Sequence, residues 1–126
     1  MKKILLIIIL LLLVLYYIDT QTHCITNRIY KLENVSKKQT IMLYKIKTQE
    51  HVHHYFVHII GHLDGSTKIK LYQSLKNKNP YKSAKITGDI DIKWGGDWYV
   101  DTLRIEYEPI DVKEGQLSLE YAFYGI

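Results

Sequence analysis

Between Ile86 and Glu108 apolar and polar side chains alternate with a period of two. Ile86, Gly88, Ile90, Ile92 and Trp94 share one phase, and Thr87, Asp89, Asp91 and Lys93 the other, the pattern of a half-buried β-strand. After Gly95-Gly96-Asp97-Trp98 the alternation resumes, with Tyr99, Leu103, Ile105 and Tyr107 on one face and Thr102, Arg104, Glu106 and Glu108 on the other. This predicts a hairpin turning at Gly96 and Asp97. In that register Ile90 faces Leu103, Ile86 faces Tyr107, Trp94 faces Tyr99 and Asp89 faces Arg104. Asp101 alone breaks the pattern, since it lands on the core phase opposite Ile92. A charge there is expected at a β-bulge, accepting local hydrogen bonds.

Five further strands are expected. Arg28–Val35 places Tyr30 and Leu32 inward, and Thr40–Thr48 is an edge strand guarded by lysines. Val52–His62 is apolar on both phases and is the most buried strand. Asp64-Gly65 then predicts a turn into Thr67–Leu75, with Ile69 and Leu71 inward. Asn77–Tyr81 is a loop by composition, and the last strand turns Leu117, Leu119, Tyr121 and Phe123 inward. Ala, the best helix former, occurs only at 84 and 122, while Tyr occurs 11 times. The expected fold class is all-β, an antiparallel β-sandwich of about seven strands, with a barrel as the alternative.

The amino-terminal pattern is of another kind. Lys2 and Lys3 precede fifteen apolar residues, Ile4–Ile18, a helix of about 22 Å. This reads as a signal peptide or a retained transmembrane signal anchor, with retention favoured because Thr20-Gln21-Thr22 is a weak cleavage site. The expected organisation is a membrane segment over 1–18, a tether over 19–27 and a β-domain over 28–126. The lysines place the amino terminus in the cytoplasm and the domain on the extracytoplasmic side of a single-pass protein. Cys24 is the only cysteine, so no internal disulfide forms, and it reads as a linker thiol.

The net charge of +4 conceals a division. Arg28–Lys85 carries twelve bases against three acids, and Ile86 onward three against nine. Basic and acidic strands lying side by side would neutralise each other; a polarised surface would instead recruit a charged partner. No nucleic-acid motif accompanies the basic half, so nucleic acid is not an expected partner.

Two constellations carry candidate chemistry. Five of six histidines lie between His51 and His62, and on a strand His51 and His53 project from one face about 6.6 Å apart, an H-x-H pair able to grip one metal ion if a third ligand comes from elsewhere. The expected hairpin tip sets Trp98 and Tyr99 beside Asp97 and Asp101, a group that could stack on a sugar ring and accept its hydroxyls. The plainer readings are strand-end histidines and a tryptophan that covers the end of the core. No nucleophile motif or phosphate loop is present, so the expected function is non-enzymatic and without a cofactor. It is a membrane-anchored module of the cell envelope that binds a protein partner or has a structural role. The alternative is a module binding carbohydrate at 94–101 or metal at His51 and His53.

Overall fold

The computed structural model describes residues 1–21, 24–46, 51–73 and 76–125 and, outside 18–27, their side chains. Helix α1 (Lys2–Gln21) is followed by six strands: β1 (Cys24–Lys31), β2 (Gln39–Tyr44), β3 (Val52–Tyr72), β4 (Lys82–Asp97), β5 (Thr102–Pro109) and β6 (Gly115–Gly125). They form one antiparallel sheet in the order β1-β6-β3-β5-β2, with β4 on the other side of β3. The 21-residue β3 is its axis. The first half of β3 lies between β6 and β4, and the second half between β5 and β4.

The pairings force this sheet to curl. Asp97 pairs with His54 near one end of β3, and Arg104 pairs with Tyr72 at the other. Seven residues of chain reach at most about 25 Å, whereas the eighteen from His54 to Tyr72 would span about 60 Å if straight. The strand must therefore bend back so that its two halves face each other.

The bend lies where the register slips between Leu63 and Ser66. Asp64-Gly65, expected as a turn between two strands, is instead a bulge inside a single strand, clasped by the 110–114 connection. The Asp64 carboxylate accepts from Lys113 N at 2.9 Å, and Asp64 N donates to Glu114 O at 3.1 Å. Ser66 N donates to Asp111 Oδ1 at 2.5 Å. A Cβ on Gly65 would lie 2.6 Å from the Asp111 carbonyl oxygen, so only glycine admits this approach. Across the bend on β4, Gly88 takes φ +69°, a conformation open to glycine at little steric cost.

The curled halves enclose one core. Tyr55, Val57, Ile59 and Leu63 from the first half of β3 cluster with Ile69 and Leu71 from its second half. Ile41 and Leu43 of β2, Leu103, Ile105 and Tyr107 of β5, and Leu117, Leu119 and Phe123 of β6 complete it. Each such side chain contributes about 1.5–3 kcal/mol by leaving water. Tyr107 Oη donates to Val35 O at 2.6 Å and ties the 33–38 stretch to β5. A second slip between Val52 and His54 brings Val52 into the core beside Tyr55, against the strict alternation of the sequence.

Four expectations are corrected. First, the 86–94/99–108 hairpin does not form: Ile90 pairs with Gly61 and Leu103 with Leu43. The strand runs on through Gly96 to Asp97, and Trp98 N continues the ladder by donating to His53 O at 3.0 Å. The hairpin that does form is β3–β4, closed across the 73–81 stretch where Tyr81 N donates to Leu71 O at 2.7 Å. Second, Asp101 stands in the 98–101 link rather than on a strand, its carboxylate 65% exposed and 3.2 Å from Lys45 Nζ. No charge has to be buried, so no bulge is needed there. Third, the expected strands 52–62 and 67–75 are one strand, Val52–Tyr72, which leaves six strands among the described residues against about seven expected; residues 74 and 75 lie outside the described residues.

The fourth correction concerns α1. Among the described residues no helix is long and apolar enough to cross a membrane. The apolar run covers about 22 Å, against about 30 Å of hydrocarbon. The single-pass signal-anchor reading is therefore overturned, and the cytoplasmic and extracytoplasmic placement that depended on it goes with it. The side chains from Ile4 to Tyr17 are 49–70% exposed, and the core begins at Leu32. Strand β1 starts at Cys24, within the stretch expected to be a tether, and the Cys24 side chain lies outside those described.

Candidate functional site

The residues singled out from the sequence do not converge. Trp98 is fully buried, packed on Tyr55 at a ring separation of 4.6 Å and on Tyr81 at 5.5 Å, and its Nε1 donates to Thr102 O at 3.0 Å. Tyr99 is 74% exposed, and Asp97 and Asp101 are exposed, so of the expected aromatic pair only Tyr99 stands in solvent with the carboxylates while Trp98 is inside the core. His51 and His53 are exposed on either side of Val52. Among the described residues no group of three or more His, Cys, Asp or Glu is placed to hold a metal ion.

The fold instead assembles a cross-strand array on the outer face of the first half of the sheet. His54, His58 and His62 run along β3 in one phase; Asp97, Asp91 and Asp89 run along β4 beside them. His62 Nδ1 lies 2.6 Å from Asp89 Oδ1. His58, its side chain 15% exposed, has Nε2 at 2.5 Å from Asp91 Oδ1 and Nδ1 at 3.1 Å from Glu120 Oε2. Each contact to a carboxylate needs an N–H, so only an imidazolium donates to both, and in that form His58 ties β4, β3 and β6 together. The i, i+2 carboxylates of β4 and the i, i+4 histidines of β3 were visible in the sequence. Their meeting depends on the β3–β4 pairing, which the alternation of the sequence does not specify.

The second half of the sheet answers the question of charge. The basic part of β3 lies against acidic β5, with Lys70 paired to Glu106 and Lys68 to Glu108. Glu108 Oε1 also lies 3.8 Å from Lys70 Nζ and 3.7 Å from Lys38 Nζ. Arg104 is buried, 4.1 Å from the Tyr72 ring centre, with Nη2 donating to Asn77 O at 3.0 Å. Base and acid thus alternate across β3 and β5, whereas on the other flank Lys68 pairs with Lys85 of β4, and ion pairs of this exposed kind contribute about 0–1 kcal/mol each.

The feature most open to a partner is the outer edge of β4. All sixteen of its residues belong to a strand that, among the described residues, pairs only with β3. A cleft of about 360 Å³ lies against the middle of this strand, lined by Lys85, Ile86, Thr87, Asp89, Ile90, Asp91 and Ile92. Near its middle is Gly88, where an added Cβ would meet nothing within 4 Å.

Comparisons with known proteins bear on the fold. No protein-family model and no curated protein matches the chain. Among solved structures it is similar to a chain from Bacillus endospore appendages described as disulfide-linked pili, at 11% identity over 84% of this chain and 92% of that one, with TM-score 0.49. The Tobacco streak virus coat protein aligns at 9% identity over 80% and 85%, with TM-score 0.50. A CBM4 structure aligns at 6% identity over 82% and 77%, with TM-score 0.41. At such identities the likeness is one of architecture: a mostly β chain whose curled antiparallel sheet has β-sandwich-like neighbours.

Proposed function

We propose that this protein is a non-enzymatic interaction or structural module, a single-sheet β-sandwich that joins a protein partner by strand addition at the free edge of β4. The observation that carries the reading is the sixteen-residue β4, paired on one side only among the described residues, with a cleft against its middle. Sheet edges of this length are usually shortened, covered or broken by proline. An incoming strand would gain main-chain hydrogen bonds along the edge, and selectivity from Ile86, Ile90 and Ile92 on one face and Lys85, Asp89 and Asp91 on the other. The alternation of base and acid across β3 and β5 argues against a polarised surface as the means of recognition.

The test is a photo-crosslinking residue placed at Thr87 on the edge, or at exposed Ile110 as a control, in the full chain expressed in its source cells. The expected result is a protein adduct from position 87 and none from 110. Absence of any adduct from position 87, with the variant folded and expressed, would overturn the reading.

A further inference from the structure

Resting on the edge-pairing reading above, we infer that the occupant of the β4 edge is a second copy of this chain, added antiparallel about a two-fold axis at Gly88. The argument is self-complementarity. In an antiparallel pair related by a two-fold axis, each residue meets the one equally far on the other side of the axis. Centred on Gly88, Lys85 faces the partner's Asp91, Ile86 faces the partner's Ile90, and Ala84 faces the partner's Ile92, each contact occurring twice. Opposite charges and paired apolar side chains directly across an antiparallel pair are the favourable combinations.

Neighbouring registers are poorer. Centring on Asp89 sets it against itself and Lys85 against the partner's Lys93. Centring on Ile90 sets Asp89 against the partner's Asp91 twice, and centring on Asp91 sets that carboxylate against itself. Centring on Thr87 sets Ile86 against the partner's Gly88, so the isoleucine loses its partner. The structure favours the Gly88 register independently of charge. The cleft spans Lys85 to Ile92, the segment this register pairs. Asp91 already accepts from His58 and retains lone pairs for the partner's lysine. The other outer strands, β1 with eight residues and β2 with six, offer much shorter edges.

The experiment is light scattering on the full chain, held in a mild detergent because the α1 side chains are exposed. Lys85→Asp and Asp91→Lys are compared alone and together, with circular dichroism as the check on folding. Wild type is expected to be a dimer, each single reversal to weaken it at least tenfold, and the double reversal to restore it, because only this register places those two residues opposite each other. In a Cys24→Ser background, Thr87→Cys with Asp89→Cys is expected to give a disulfide-linked dimer on mild oxidation. A monomeric wild type overturns the inference, and so does a dimer that both single reversals leave intact, since that dimer would be held by α1. If the position 87 crosslinker captures a different protein and never a second copy, the partner named here is wrong while the edge-pairing function stands; no capture at all removes both.

Discussion

Trp98 Nε1 donates a 3.0 Å hydrogen bond to the Thr102 carbonyl oxygen, spanning the link in which the chain leaves β4 and enters β5. The indole is fully buried between Tyr55 and Tyr81, so it both fills the end of the core and holds the crossing that brings the two ends of β3 together. Trp98→Phe should cost about 1–2 kcal/mol through the lost bond, and Trp98→Ala about 3–5 kcal/mol through the cavity as well. Urea denaturation measures both. An alanine variant within about 1 kcal/mol of wild type would show that the link is held by something else.

Tyr55 has a buried hydroxyl with no hydrogen-bond partner among the described residues. Burial, with a smaller contribution from Tyr81, pushes its phenol from the ordinary 10.0 up to about 12. A folded value above the unfolded one stabilises the fold fully below pH 10, and this contribution is lost as pH rises through about 12. Tyr55→Phe should therefore flatten the alkaline loss of stability. At pH 7 it should leave stability equal or up to about 1 kcal/mol higher, since it removes an unmet hydroxyl. Melting temperatures from pH 7 to 11.5 decide; an unchanged alkaline slope would count against the assignment.

Asp64 holds the bend from the solvent side. The Lys113 and Glu114 backbone amides, in that order, hold its carboxyl below the ordinary 3.8. A lowered folded value gives a contribution present above the unfolded value and lost as pH falls through the folded one. Asp64→Asn should melt at a lower temperature than wild type at pH 7, and the difference should shrink as pH falls below 3.8 and through the folded value. A gap that persists in acid would mean that the amides do not recognise the charge.

Two glycines near the bend should respond differently to alanine. Gly65→Ala drives a methyl to 2.6 Å from the backbone carbonyl of Asp111, which cannot swing aside, and should cost about 2–3 kcal/mol. Gly88→Ala meets open space but keeps φ +69°, so only the conformational cost of about 1–2 kcal/mol applies. Equilibrium unfolding of both variants checks the ranking, and a reversed order would refute the clasp around Gly65.

Much of the fold was legible locally. Ile90, Leu103, Ile105, Tyr107, Leu117, Leu119, Tyr121 and Phe123 are all buried as their alternation indicates, because a pleated strand sends successive side chains to opposite faces whatever lies beside it. Ile69 and Leu71 are buried on the same ground, whereas Val52–His62, expected to be buried on both faces, is flanked by β6 and β4 but buries one face only and leaves His54, Ile60 and His62 exposed on the other. The amino-terminal apolar helix was equally plain from composition.

Pairing was not legible. Alternation assigns a face but no neighbour, and the shortest turn, at Gly96 and Asp97, was the natural guess for β4. The tertiary structure preferred the longer β3–β4 ladder, since it lets a single bent strand carry β6 and β5 on one flank and enclose a common core. The same choice removed Asp101 from any strand, buried Trp98 and brought Asp89, Asp91 and Glu120 to the histidines of β3. Sequence alone determined where most of the strands lie and which face Ile90, Leu103, Ile105 and Tyr107 turn inward, because these depend on the chain's own period; it did not determine the strand ends, nor Tyr99, which is 74% exposed outside any strand. Which strands touch, and hence which edge stays free, depends on closing the sheet over one core, and only the tertiary structure decides that.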